Sequence, residues 1–344
     1  MTVPRTPDVL VIGGEASSAA AGVLGVASGD DEGERQALRR ASLATFPALA
    51  GALRDETGID VGFARCGALQ LACTQDDLAG LEIRAARRRA QAFRAELLDA
   101  GGVRALEPAA TPDALGGICF PDEAVVVAER LVTAFAEAAR RRGATIVPGL
   151  PVLAVERAGA RVTRVRVGPD WITPGLVVLA TGAWGASPIA DLDVGVAVVP
   201  VRGQMMAVRP ARAPRHALTS GNAFLIPRPH GEVWIGATFE DAGFVKAVTA
   251  DGLRMLAAHL SRLAPAMIDA PIVRAWAGLR PLCPDGGPVL GRPCGFANLL
   301  VALGHHRSGI LLAPITARTI AACADEVAAP AEAEPFLLGA RAVE

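Results

Sequence analysis

The stretch Asp8-Val9-Leu10-Val11-Ile12-Gly13-Gly14-Glu15 decides the fold. A short β-branched run ending in paired glycines is typical of the first strand of a dinucleotide-binding unit, where a glycine turn opens a helix whose N-terminus holds a pyrophosphate. The full fingerprint would place glycine at positions 13, 15 and 18. Only Gly13 matches, because Glu15 and Ser18 occupy the other two positions. No amphipathic helix, second strand or ribose-binding acid follows, so these residues alone predict half a nucleotide site or none.

Composition bounds the remaining possibilities. The length of 344 residues suggests two domains at about 150 residues each, and 51% hydrophobic residues allow a large core. A net charge of −1 means that the chain has no overall positive charge with which to attract nucleic acid. The six cysteines form no C-x-x-C pair, which indicates free thiols and a cytoplasmic location. No apolar run reaches the roughly 18 residues of a membrane span, and Pro4 and Pro7 interrupt any signal-peptide pattern.

Periodicity predicts an α/β fold in which a Rossmann-like parallel sheet is combined with an antiparallel-sheet substrate part. Acidic residues 30–34 open a helix that Gly58 ends, and further helices are predicted over 76–99, 124–142, 250–263 and 310–327. The run Arg87-Arg88-Arg89 is interpreted as a solvated helix face, and the Ala/Glu/Pro-rich tail from Pro330 is expected to be frayed. Strands are predicted over 67–72, 144–147, 152–156, 161–167, 176–179, 198–208, 224–228, 233–237, 273–278 and 298–302.

Two arginines stand where predicted strands end. Arg280 precedes a proline, and Arg307 lies in the turn Gly304-His305-His306-Arg307-Ser308-Gly309 before the closing helix, with Ser308 as its expected N-cap. Together the guanidinium groups can bind one carboxylate through paired N–H bonds. The alternative is that both arginines pair with structural acids at the surface.

Other patterns point away from metal or serine chemistry. No third ligand with suitable spacing accompanies His305 and His306, so no metal site is predicted. No G-x-S-x-G nucleophile turn is present. Trp184, Trp234 and Trp276 are expected to be core residues.

Beyond these patterns, the chain resembles the glycine oxidases of thiamine biosynthesis, within the D-amino-acid oxidase superfamily of FAD enzymes. The resemblance is carried by short motifs spread over nearly the whole chain. They are residues 9–14, 16–24, 57–62, 106–108, 120–122, 178–184, 200–205, 226–228, 236–238, 276–281, 284–286 and 304–314.

The resemblance implies an FAD-dependent oxidation of a small amino acid by molecular oxygen, giving an imine and hydrogen peroxide for thiazole synthesis. It places Arg280, Arg307 and Phe224 against the substrate. It also implies a set of residues around FAD, with Val152 at the adenine portion. These are Gly13, Gly14, Ser17, Ser18, Ala21, Gly22, Val23, Val152, Thr181, Gly182, His305, His306, Ser308, Gly309, Ile310 and Leu311.

It further implies a discontinuous FAD-binding domain of residues 1–30, 124–195 and 276–328, and a substrate domain of 31–123 and 196–275, followed by a tail of 329–344. A homo-oligomer is one expectation for the assembly.

Two features depart from the family pattern. A βαβ unit of roughly 30 residues is missing between Gly14 and Ala16, so the first strand should lack its neighbour in the sheet. The chain has no tyrosine, and Phe224 stands where glycine oxidases often place a carboxylate-binding tyrosine. The alternatives left open are a flavin-free remnant of the fold, a related D-amino-acid or sarcosine oxidase, and a dehydrogenase.

Overall fold

The computed structural model describes residues 4–185 and 192–338. Its helices are α1 (Gly33–Thr57), α2 (Gln75–Ala90), α3 (Ala100–Leu106), α4 (Ala128–Arg141), α5 (Ala250–Leu263) and α6 (Gly309–Ala324). Its strands are β1 (Val9–Gly13), β2 (Val23–Leu24), β3 (Ala68–Ala72), β4 (Glu96–Asp99), β5 (Gly116–Phe120), β6 (Ala124–Val125), β7 (Val152–Ala158), β8 (Arg161–Val167), β9 (Asp170–Ile172), β10 (Leu176–Ala180), β11 (Val199–Val208), β12 (Ala217–Ser220), β13 (Ala223–Pro227), β14 (Val233–Gly236), β15 (Ile272–Leu282), β16 (Val289–Gly291) and β17 (Leu299–Leu303).

A parallel sheet forms the predicted Rossmann-like part. Its order is β1-β10-β17-β16, and the first three strands are parallel. The small sheet β7-β8-β9 packs over it, and Asn298 joins the two by accepting the Val162 amide (2.8 Å) and donating to the Val162 carbonyl (3.0 Å). Apolar side chains of both sheets share one core, which fixes the carboxyl ends of β1 and β10 side by side.

Strand β1 is an edge strand, as the missing βαβ unit predicts. It pairs with β10 alone among the described strands, and Val9 and Val11 are 49% and 59% exposed. Residues 144–147 were predicted to be a strand, and that prediction is wrong. In a doubly wound sheet the second strand lies beside the first, so its loss leaves one edge of β1 unpaired. It also removes the strand with which residues 144–147 would pair.

The second sheet is mostly antiparallel, as predicted for the substrate part. Its order is β15-β11-β14-β13-β12-β3-β5-β4, with β12 and β3 the parallel pair. Helix α5 packs its apolar face on this sheet through Leu256, Leu260 and Leu263. Strand β15 then carries the chain back toward the parallel sheet, so the two parts meet along it.

The predicted helix over 76–99 is wrong beyond Ala90. Ala92 takes a left-handed conformation (φ 58°), and residues 96–99 become β4 paired with β5. Arg88 is fully buried, so the solvated-face interpretation of the arginine run is also wrong for this residue. Its guanidinium donates to the carbonyls of Ala27 (2.9 Å) and Gly29, and these bonds satisfy the buried charge.

Two further boundaries differ from the prediction. The helix expected from residue 124 begins at Ala128, because residues 124–125 form β6 and pair with β2. The tail is packed rather than frayed up to residue 338, since Ala333 and Phe336 are buried and the Leu338 amide donates to the Leu290 carbonyl (2.9 Å). The rest of the predicted tail, 339–344, lies outside the described residues, and the predicted domain boundaries stay a prediction.

No helix within the described ranges is long and apolar enough to cross a membrane. All six cysteines are free thiols, as their spacing predicts.

Adjacent residues of β1, which point to opposite faces of the sheet, provide a test of its open face. Val11→Thr should change the free energy of unfolding by no more than about 0.5 kcal/mol, because the side chain is already exposed. Ile12→Thr, at a side chain only 8% exposed, should cost about 2 kcal/mol or more. Urea unfolding of both variants measures the difference. Equal losses would show that β1 is covered on the side that the structure leaves open.

Candidate active site

The carboxyl ends of β1 and β10 form one wall of the site. The Gly14 amide donates to the Ala180 carbonyl (3.0 Å), and a Cβ at Gly14 would lie 2.8 Å from the Thr181 carbonyl oxygen. Gly182 has a left-handed φ of 57°, and the Thr181 hydroxyl donates to the Gly185 carbonyl. The predicted cofactor residues at 13, 14, 181 and 182 are therefore brought together, at the strand ends where open parallel sheets bind ligands.

The segment after Glu15 passes close to α4. Residues Ala16–Ala19, including Ser17 and Ser18, form a 3₁₀ turn. Gly22 then has a φ of 69° and its carbonyl accepts the Val126 amide (2.8 Å). A Cβ at Gly22 would lie 2.1 Å from the Val126 carbonyl oxygen, so only glycine fits there. Ala21 and Val23 are fixed on either side of this contact.

The turn before α6 forms the opposite wall. Gly304 has a φ of 72°, and the residues His306–Ser308 make a 3₁₀ turn that leads into Gly309. Ser308 occupies the N-cap position as predicted, but its side chain makes no capping hydrogen bond. His305 Nε2 lies 2.9 Å from Thr316 Oγ1. Ile310 and Leu311 are buried under the turn, in the core between α1 and α6.

Arg280 lies near the end of β15 with its guanidinium group mostly enclosed. Its Nη1 donates to the Thr238 carbonyl (3.2 Å), and its Cζ is 5.4 Å from the centroid of the Phe239 ring. A Cβ at Gly203 would lie 2.3 Å from the guanidinium, so a side chain there would displace the guanidinium from this position. Burial and the neighbouring charge of Arg307 lower the pKa of Arg280 to about 10, which leaves it charged at neutral pH.

Arg307 is exposed, and none of the described residues makes a hydrogen bond or ion pair with it. Its charge nevertheless lowers the pKa values of Arg280 and His306, so the three side chains share one region. The carboxylate of Glu240, which faces the same region, already accepts hydrogen bonds from Arg202 and from Gln204 (2.8 Å). The two predicted substrate arginines therefore form a cationic site with no dedicated acid between them. The alternative that both pair with surface acids finds no support among these contacts.

His306 is held between the arginines and an aromatic ring. Its backbone is left-handed (φ 47°), its ring meets that of Phe239 edge-on at 5.4 Å, and its Nε2 is buried without a partner. Burial, Arg307 and Arg280 lower the pKa of His306 to about 4, and burial lowers that of His305 to about 4. Both imidazoles are therefore neutral at pH 7.

An apolar cluster lies beside the arginines. Phe224 packs over Gly236, where a Cβ would lie 2.2 Å from the ring. Trp234 is buried as expected, but Trp276 is only partly buried and donates to the Ala19 carbonyl (3.0 Å). Trp184 is also only partly buried, so the core expectation is wrong for these two. The cluster has Met205, Ala207, Trp234 and Ala237 at its centre, with Ala21, Phe224 and Trp276 packed against it.

Comparison with known proteins identifies the family. Residues 10–323 match the family model described as DAO, FAD dependent oxidoreductase. The chain belongs to the DAO family. Its members are FAD-dependent, and the relatives that follow make it an amino-acid oxidase of this family.

Two curated relatives and one solved structure show how far the likeness extends. Glycine oxidase of Geobacillus kaustophilus is 32% identical over 332 residues, covering 95% of this chain and 88% of that protein. The bifunctional protein ThiO/ThiG of Trichormus variabilis is 34% identical over 89% of this chain, which spans only 46% of that longer protein. The crystal structure of the Geobacillus kaustophilus glycine oxidase matches with a TM-score of 0.92 at 29% identity, covering 97% of this chain and 99% of that one.

The DAO-family cofactor fits one end of the site and not the other. At the flavin end, Gly22 packs closely on Val126, which shares one apolar core with Ile310 and Leu311 after the turn at 304–309. At the pyrophosphate end, the turn after β1 has no helix to present amides, and Glu15 places a carboxylate there. Val152 lies in the separate sheet β7-β8-β9, paired with Val167, and no described contact joins it to the other site residues.

Sequence reasoning missed the buried acid that positions the flavin-end segment. Glu123 is 4% exposed, and its carboxylate accepts the backbone amides of Val26 (2.9 Å), Ala27 (2.7 Å) and Ser28 (3.3 Å). Burial raises the pKa of Glu123, while these amides oppose the shift. The available signal was an acid at the head of the apolar run 124–128, where a lone carboxylate needs partners.

A cavity of about 450 Å³ lies between the turn after β1 and strand β15, and it does not include Arg280. It contains two ion pairs, Glu15 with Lys246 and Glu129 with Arg274, each at 2.8 Å. Arg274 also stacks over Trp276, with its Cζ 4.4 Å from the ring centroid. The charges in this cavity are mutually paired, in contrast to Arg307, for which the described residues provide no ion-pair partner.

The lowered histidine pKa values predict a stability change with pH. The unfolded chain binds these protons near pH 6.5 and the folded chain only near pH 4, so stability falls as pH decreases from 6.5 toward 4. Each histidine contributes at most about 1.4 kcal/mol per pH unit. Urea unfolding between pH 6.5 and 5 should give a smaller slope for His306→Asn than for the wild type. His230→Asn is the matched control, because His230 is exposed and also left-handed (φ 64°). An unchanged slope in His306→Asn would contradict the burial of a neutral imidazole.

Proposed function

We propose that this chain oxidises glycine or another small amino acid to the imine, with molecular oxygen reduced to hydrogen peroxide. Two electrons and two protons leave the amine and its α-carbon, and oxygen takes up both pairs, so the reaction balances without a further reactant. The observation that carries the proposal is the unneutralised pair Arg280 and Arg307 at one end of an apolar cluster.

Arg280 is the main carboxylate ligand in this proposal. Its guanidinium is positioned by the Thr238 carbonyl, the Phe239 ring and the lack of a side chain at Gly203. A group positioned in this way loses little freedom on binding, and the low local polarity strengthens its charge-assisted hydrogen bonds. Arg307, being exposed and unpaired, can approach the same carboxylate from the turn before α6.

The apolar cluster supports a small substrate. Phe224 fills the position where a hydroxyl is common in the related oxidases, and no tyrosine elsewhere in the chain can replace it. One missing hydrogen bond costs about 0.5–1.5 kcal/mol, which two arginines can offset. Phe224, Trp276 and Ala21 then exclude water from the α-carbon.

The side chains need not supply a strong base. His306 is neutral and close to both arginines, and Glu240 is held in a network with Arg202, Gln204 and Thr238. If the amine binds unprotonated, orientation is the main task of the protein. When bound, FAD supplies the two-electron oxidation.

The cellular role follows from the relatives rather than from the site. The similarity to glycine oxidase and to the bifunctional ThiO/ThiG proteins supports a role in supplying the imine for thiazole synthesis in thiamine biosynthesis. The free thiols support a cytoplasmic location. A homo-oligomer remains a prediction.

The substrate proposal is tested by peroxide release from flavin-loaded protein given glycine, sarcosine or D-alanine. Turnover of at least one of these amines is expected. Release with none of the three, by folded protein with bound flavin, would contradict an oxidase of small amino acids.

Arg280→Ala should lower kcat/KM for glycine by roughly 10- to 100-fold, because charge-assisted bonds of about 1.5–3 kcal/mol are lost. Glycinamide, which has no carboxylate, should be affected much less. Arg254→Ala is the control, since Arg254 is exposed on α5 and paired with Asp251 (2.8 Å). An equal loss for both amines would show that Arg280 does not bind the carboxylate.

A further inference from the structure

The surroundings of β1 decide how much of a flavin dinucleotide this chain can hold. In a dinucleotide-binding unit, free amides at the N-terminus of the helix after the first strand bind the pyrophosphate. Here β1 is followed by a 3₁₀ turn of four residues, Ala16–Ala19, in which no residue is buried. A turn of this length has no helical N-terminus, so the main source of phosphate affinity is missing.

The first side chain after the paired glycines adds an unfavourable charge. Glu15 is about half exposed, and its carboxylate forms an ion pair with Lys246 at 2.8 Å. Lys246 is the only lysine of the chain, and in this arrangement its charge is already neutralised. A diphosphate placed at the end of β1 would therefore meet a carboxylate rather than a free cation.

The surface that would hold the adenosine is also incomplete. The ribose of a dinucleotide normally contacts an acid at the end of the second strand, and that strand is missing here. Residues 144 and 145, where the next strand was predicted, are exposed and lie outside any strand. Val9 and Val11 share one face of β1 and are exposed there, where the helix of a βαβ unit would cover them.

The residues on the flavin side, by contrast, are held in place by contacts of their own. Gly22 packs on the Val126 carbonyl, and Glu123 fixes the segment that follows. Gly304 and the turn at 306–308 close the other side. These contacts do not depend on the missing unit.

We propose that the chain binds flavins through the isoalloxazine and ribityl end alone, so that the adenylate half of FAD adds little affinity. Riboflavin, FMN and FAD then compete for one site with similar dissociation constants. The proposal rests on the DAO-family assignment and on the flavin end of the site, and it does not depend on which amine is oxidised.

The test is calorimetric titration of the purified full-length chain with riboflavin, FMN and FAD, with the flavin absorbance recorded in parallel. We expect the three dissociation constants to agree within about fivefold, which is about 1 kcal/mol. An FAD constant more than about 100-fold below that of riboflavin would overturn the proposal, as would folded protein that binds none of the three.

Substitution of Glu15 separates the phosphate contribution from the ring contribution. Glu15→Gln should strengthen FMN and FAD binding by a few-fold and leave riboflavin unchanged, because only the first two carry phosphate. Glu82→Gln, at an exposed acid on α2, is the matched control and should change none of the three. Equal effects of Glu15→Gln on all three flavins would show that Glu15 does not face the phosphates.

The outcomes also separate this proposal from the proposed function. Equal binding of the three flavins without peroxide release from any small amine would sustain the flavin proposal and reject the oxidase. Tight, FAD-selective binding with glycine turnover would reject the flavin proposal and sustain the oxidase.

Discussion

The close backbone contact between β1 and β10 is the constraint on which the rest of this structure depends. The Gly14 amide bonds to the Ala180 carbonyl, and no side chain fits between Gly14 and Thr181. The chain must therefore leave the sheet at this point whether or not a βαβ unit follows. It turns at once into residues Ala16–Ala19, and the parallel sheet keeps β10, β17 and β16 in order without its usual neighbour.

A second constraint operates where the two sheets meet. Strand β15 brings Arg280 over Gly203 of β11, and the turn before α6 brings Arg307 and His306 to the same region. Because this assembly involves β11, β15 and α6, it is independent of the segment missing after β1. The chain thus keeps the cationic cluster of Arg280 and Arg307 beside an incomplete dinucleotide-binding unit.

Much of this arrangement was predictable from residues. Val9–Gly13 as a strand, Gly58 as a helix end, the meander before β10 and the arginines at strand ends all follow from local pattern. The predictions from local pattern failed where tertiary contacts determine the structure. Arg88 is buried because Ala27 and Gly29 carbonyls face it, and residues 144–147 are no strand because their partner is missing. Contacts over long sequence separations, such as Glu123 with the Val26 amide, leave no periodic signal.

The chain passes directly from β1 into the site, and Glu15 then pairs with Lys246 in the substrate part. A zero-length carbodiimide cross-link tests this directly, since Lys246 is the only lysine and both it and Glu15 are accessible. The structure predicts one major cross-linked peptide pair joining residues 15 and 246, found by mass spectrometry and lost in Glu15→Gln. Folded protein that forms no such link, or links Lys246 to a different acid, would contradict the placement of Glu15 beside Lys246.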